Sequence, residues 1–176
     1  TAGNTKTLET TSLDLTIDTT KPTLLSAVTG TSWDSNLAAE ATAITNTAVK
    51  VTMSEIMDSA TVEAADFTIA GVVPTTAVVG TATGYKHFIY LTTAAQEPDA
   101  KPEVKVTGTV NDLAGNAVDT TATLTSFYAA ATDGLKSALT ITVGTALGVA
   151  ADAVVITVDT DEKLTTEGLI ISVVGP

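Results

Sequence analysis

The residues best suited to chemistry in this chain are carboxylates and amides gathered at turns. The hexapeptide Asn111-Asp-Leu-Ala-Gly-Asn116 offers the side chains of Asn111, Asp112 and Asn116, and Gly115 is free to take the positive φ of a tight turn. Calcium is held by oxygen atoms from carboxylates, side-chain amides and backbone carbonyls, so an irregular loop of this composition suits it. Loops distant in sequence meet at one end of a β-sandwich, and from there Asp18, Glu55 or Asp58 could complete a shell. The same hexapeptide also suits a plain hairpin turn in which Asn and Asp bond their own backbone, and the sequence leaves both readings open.

Catalytic sets are not legible. The only histidine, His87, opens the stretch His87-Phe-Ile-Tyr-Leu91 with no nucleophilic serine motif beside it, and is expected to be a strand residue facing solvent. Asp159-Thr-Asp-Glu162 carries paired carboxylates, but a glycosidase pair faces its partner across a cleft lined by aromatics, and aromatics make up only 4% of the chain. A solvated turn is the expectation there. No cysteine is present, so thiolate metal sites and disulfides are excluded. Phosphate-binding glycine loops and zinc-ligand spacings are missing too. The chain is therefore not expected to be an enzyme. Trp33, in Thr-Ser-Trp-Asp-Ser, is expected to plug one end of the fold, while Tyr85, Tyr90 and Tyr128 suit core and rim equally.

Strands must position these residues. Threonine supplies roughly a fifth of the chain, Val and Ile are frequent, and arginine is absent, a balance that favours pleated sheet over long helices. Apolar and polar residues alternate at Leu13, Leu15 and Ile17, at Val49, Val51 and Met53, at Val104 and Val106, and at Leu139, Ile141 and Val143. Each stretch predicts a strand with one buried and one wet face. Turn signals fall at 29–31, 70–71, 83–85, 97–99 and 111–116. Asn36 to Ala43 supports one helical turn at most.

The formal net charge of −12 repels phosphate backbones and attracts small cations, so nucleic acid is excluded as a partner. No apolar run approaches the roughly 18 residues that span a bilayer, and no transmembrane segment is expected in this stretch of chain.

Two internal echoes suggest serial modules. Ala48-Val-Lys-Val-Thr-Met is followed at a distance by Val-Val-Pro74, as Ala153-Val-Val-Ile-Thr-Val is by Val-Val-Gly-Pro176; Ala2-Gly-Asn4 is echoed by Ala114-Gly-Asn116. They divide the chain into the last strand of one module at 1–17, a complete module at 18–131 and the first half of another at 132–176.

The ordered set Asp18-Thr-Thr-Lys-Pro-Thr23, Val51-Thr-Met-Ser-Glu55, Asp58-Ser-Ala-Thr-Val62, Asp66-Phe-Thr-Ile69 and Val110-Asn-Asp-Leu-Ala-Gly-Asn116 resembles the Ig-like domains repeated in bacterial and archaeal S-layer and other large surface proteins. The resemblance covers roughly the central two-thirds of the chain. It implies an all-β, immunoglobulin-like antiparallel sandwich, tandem arrangement, export to the cell envelope and often bound calcium. One departure stands out: no Asn-x-Ser/Thr sequon occurs, whereas many archaeal surface-layer proteins carry N-linked sugar. The function expected from all this is a structural component of a surface layer or filament, with copies of itself and small cations as partners. The alternative is an extracellular adhesin or a carbohydrate-binding accessory module of a secreted enzyme.

Overall fold

The computed structural model describes residues 17–121, 126–135, 139–143 and 156–160. Strands dominate: β1 (Leu24–Thr29), β2 (Trp33–Asp34), β3 (Ala39–Glu40), β4 (Ala48–Met53), β5 (Phe67–Ile69), β6 (Thr76–Val79), β7 (Phe88–Thr92), β8 (Glu103–Val106), β9 (Tyr128–Thr132), β10 (Leu139–Val143) and β11 (Ile156–Thr160). The alternation read from the sequence is realised in β4, where Val49, Val51 and Met53 are buried, and in β8, where Val104 and Val106 are buried. Lys50, Thr52 and Lys105 point the other way and stay partly exposed. The fold class is all-β, as expected.

Seven strands form one curled sheet in the order β5-β8-β9-β1-β4-β7-β6. Every neighbouring pair is antiparallel except β1 and β9, which run parallel with Ala27 opposite Ala131 and Val28 opposite Thr132. That parallel contact joins β5-β8-β9 to β1-β4-β7-β6 in one continuous sheet whose edges are β5 and β6. A bulge between Leu24 and Ser26 shifts the β1 register, so that both Leu24 and Ala27 are buried. One apolar cluster unites the two halves: Val49, Val51, Ile89 and Leu91 from the β4–β7 side with Phe67, Ile69, Val104 and Val106 from the β5–β8 side. Each fully buried side chain of this size contributes about 1.5–3 kcal/mol.

The expected turns form with the expected chemistry. Ala70 and Gly71 both take positive φ, 49° and 82°, and Ile69 and Val72 exchange two backbone hydrogen bonds across them, a tight hairpin turn. No α-helix occurs among the described residues. Ser35 to Ala38 form the turn between β2 and β3, and the one helical element is a 3-10 turn at Ala64–Asp66, capped reciprocally by Glu63 and Asp66.

Three expectations change. Ile17 is 73% exposed and lies in no strand, while Leu13 and Leu15 fall outside the described residues. Ile141 is 56% exposed because β10 and β11 pair only with each other, with no second layer over them among the described residues. Trp33 does not plug an end of the core. It sits on the β2–β3 hairpin, whose rings and charges lie over the outer face of β4 and β7: Trp33 packs 5.3 Å from the Tyr90 ring and 5.4 Å from Tyr85. Glu40 there accepts hydrogen bonds from the Tyr90 hydroxyl and the Lys50 ammonium, both at 3.0 Å. Burial, with the bond to Glu40 and its charge adding to it, pushes the Tyr90 hydroxyl well above the ordinary phenol range.

At the far end of β1 the backbone passes very close to the chain leaving β9. The Gly134 N–H donates to Thr29 Oγ1 at 3.0 Å, and a Cβ on Gly134 would strike the Thr29 carbonyl oxygen. Gly134→Ala is therefore expected to cost more than about 1 kcal/mol, since backbone must move. For a domain of this size that lowers the melting temperature by roughly 3–6 °C, read by circular dichroism. An unchanged melt would mean that this crossing is loose.

Candidate metal centre

The hairpin around Asn111–Asn116 is built on the core. Val110 and Val118 are buried and joined by a 3.0 Å backbone bond, which fixes the arms of the turn. Between them Asp112 N–H donates to the Asn116 carbonyl at 3.0 Å and Gly115 N–H to the Asp112 carbonyl at 3.2 Å, with Gly115 at φ 90°. This is the three-residue hairpin loop in which a glycine completes the reversal. The turn thereby presents the Asp112 side chain inward; the residue is only 3% exposed.

The chain beyond β4 runs alongside. Met57 bridges to Asp112, the Asp58 N–H donates to the Asn111 carbonyl at 2.9 Å, and Glu55 is brought over the hairpin. The lead-in to β1 supplies the third acid. Thr23 and Ser54 tie it to the end of β4 with two 2.9 Å bonds, and Lys21 pairs with Asp119 at 3.1 Å. The Thr121 hydroxyl, with Lys21, holds the Asp119 carboxyl down to about 2. Asn116 Nδ2 donates to the Asp18 carbonyl at 3.2 Å.

Asp18, Glu55 and Asp112 therefore converge, each with a carboxylate oxygen within 4.8 Å of the others. Ligands on opposite sides of a calcium ion, each about 2.3–2.6 Å away, are about 4.6–5.2 Å apart. The spacing fits. Glu55 Oε1 is buried without a hydrogen-bond partner, which is the observation that most favours a cation here. Burial first, then the charges of Asp18 and Asp112, push the Glu55 carboxyl up. Asp112 shifts the opposite way. Burial would raise it, but the Asn116 amide and the backbone N–H groups of Asn116, Ala114 and Gly115 together outweigh that and hold it down.

The six sequence candidates thus separate. Asp18, Glu55 and Asp112 come together. Asn116 is a holder: its Nδ2 donates to Asp112 Oδ2 at 2.9 Å and its backbone N–H to Oδ1 at 2.8 Å. The Asp58 carboxylate turns back to accept the Ala60 N–H at 3.0 Å and is outside the acid group. Asn111 uses its backbone to pair with Asp58 and Ala117, and its Oδ1 is buried without a partner. Elsewhere, His87 is half-buried against the Phe88 ring, 3.9 Å between centroids, and not in the strand. Asp159 lies within β11 opposite Thr140, not in a turn, while Asp161 and Glu162 fall outside the described residues. The Lys21–Asp119 clasp has no local signal in the sequence, since it joins Asp18-Thr-Thr-Lys21 to Asp119-Thr-Thr121 across about a hundred residues.

The opposed shifts of Glu55 and Asp112 predict a pH profile for calcium-free protein. A raised folded pKa means that the folded chain takes the proton more readily, so stability grows as pH falls from neutrality through the Glu55 transition. Asp112 acts oppositely. Its stabilisation is complete above its unfolded pKa and is lost as pH falls through the depressed folded one. Thermal melts at stepped pH should give a maximum on the acid side of neutrality, smaller in Glu55→Gln. A wild-type profile that only declines from neutrality would contradict the raised Glu55.

Compared with protein-family models, with curated proteins and with solved structures, the chain matches none.

Proposed function

We propose that this chain is a structural stretch of a prokaryotic cell-surface layer or filament, built from serial immunoglobulin-like modules and stiffened by calcium at Asp18, Glu55 and Asp112. The observation that carries the reading is the parallel pairing of β1 and β9. A chain that enters along one strand and leaves along a parallel neighbour enters and leaves at opposite ends, which suits units strung in line.

Other features support it. The segments β1-β4-β7-β6 and β5-β8-β9 of the curled sheet share one core, and their orders are those an immunoglobulin-like Greek key would give its two sheets. The pairing of β10 with β11 is antiparallel, like that of β1 with β4, which is the pairing a following module would have. The carboxylate cluster takes one ligand from the lead-in and two from the body, so a bound ion fastens the entering chain to the module. The acidic surface gathers small cations around it.

The test is electron microscopy of the native protein on its cell surface, with and without a calcium chelator. An ordered layer or fibre that loosens on chelation is the expected result. A dispersed protein without order would remove the reading.

A further inference from the structure

We infer that β6 is the edge through which this chain pairs with a second copy of itself, strand against antiparallel strand; the inference rests on the self-assembling reading above and names its contact. β6 ends the seven-stranded sheet, with no strand on its far side among the described residues. The Gly80 N–H donates to the Phe88 carbonyl. In an antiparallel ladder that bond makes Val79–Ile89 a non-bonded pair and turns the Val78 backbone toward Tyr90. The N–H and C=O groups of Ala77 and Val79 then face away from β7, where no other described strand pairs with them.

Natural edges are guarded by shortness, by charge, by proline within the strand or by bulges. This one is short, four residues, but carries neither charge nor proline. Thr76–Val79 is uncharged, with Pro74 lying before it, and no charged residue occurs from Phe67 to Tyr85. Val72, Val73 and Val78 are 63%, 53% and 42% exposed along that stretch. The occupant is the second copy that the self-assembling reading requires, and charge says where it can touch. Two copies at −12 each repel over most of their surface, and a neutral strip is where they can touch without that cost. An edge strand meeting its own copy is also self-complementary, because antiparallel pairing of identical strands has two-fold symmetry. Four residues and three valines make a small contact, so single pairs are weak and only repetition along an array makes them hold.

Sedimentation equilibrium of the full chain at up to about 1 mM protein tests this, in salt raised from about 50 mM to about 500 mM to shorten the reach of the repulsion. Association that strengthens with salt is expected, with amide exchange at Ala77 and Val79 slowing as dimer forms. Val78→Lys should weaken association at least tenfold, although it lowers the net negative charge and would otherwise favour contact. Leu37→Lys, at a 68% exposed position on the β2–β3 turn, makes the same charge change and should leave pairing intact. Monomer under all conditions, or dimer with unchanged exchange at Ala77 and Val79, overturns the inference. An ordered native layer seen beside either result would leave the surface-layer reading standing and assign its contacts elsewhere.

Discussion

Glu55→Gln is expected to raise the melting temperature of the calcium-free chain by a few degrees and to abolish its response to calcium. The variant keeps the side-chain volume, removes a partly buried charge that faces Asp18 and Asp112, and puts an amide group where Oε1 has no partner. In the wild type, an ion that binds only the folded state stabilises it by about 2.7 kcal/mol at a hundredfold excess over Kd. For a domain of this size that amounts to on the order of 10 °C. Without Glu55 two carboxylates remain, and most of that increment should vanish. Asp58→Asn is the matched control: its carboxylate is engaged with the Ala60 N–H, so the calcium response should persist. A Glu55→Gln protein that melts lower without calcium and still responds to it would show that Glu55 is not a ligand.

Phe67→Ala should be the most damaging single truncation. Phe67 is fully buried on β5, at the opposite end of the strand order from β6, yet it belongs to the cluster that includes Val49, Val51 and Leu91. Removing a buried phenylalanine costs about 3–5 kcal/mol, a large share of the stability of a small domain. The single tryptophan makes the cooperativity readable. Trp33 reports from the outer face of the β4–β7 half, with Tyr85 and Tyr90 around it. If the curled sheet is one folding unit, its fluorescence midpoint in urea falls together with the circular-dichroism midpoint. A tryptophan transition left in place would mean that the two halves unfold separately.

What could be read beforehand followed from local rules. Alternation revealed β4 and β8 because Val49, Val51, Val104 and Val106 face a core while the intervening Lys50, Thr52 and Lys105 do not. Turn chemistry revealed the 111–116 hairpin, since only a residue such as Gly115 sits easily at φ 90°. The β2–β3 hairpin was hidden for the converse reason: its turn places Ala38 at φ 48°, a position that carries no glycine signal. Trp33 sits on that hairpin, so its place on the outer face has no local signal either. The parallel contact of β1 with β9 depends on register between segments about a hundred residues apart, which no local pattern encodes. Of the acids, Asp58 sits close to Glu55 in sequence but was separated from the cluster by a turn in which its own side chain caps Ala60.

The proposed serial arrangement is tested most directly by electron microscopy of the native protein in its cells. Repeated units aligned end to end within an ordered surface layer or fibre are the expected result, with entry and exit at opposite poles of each. Isolated particles in which the chain returns to its starting pole would contradict it.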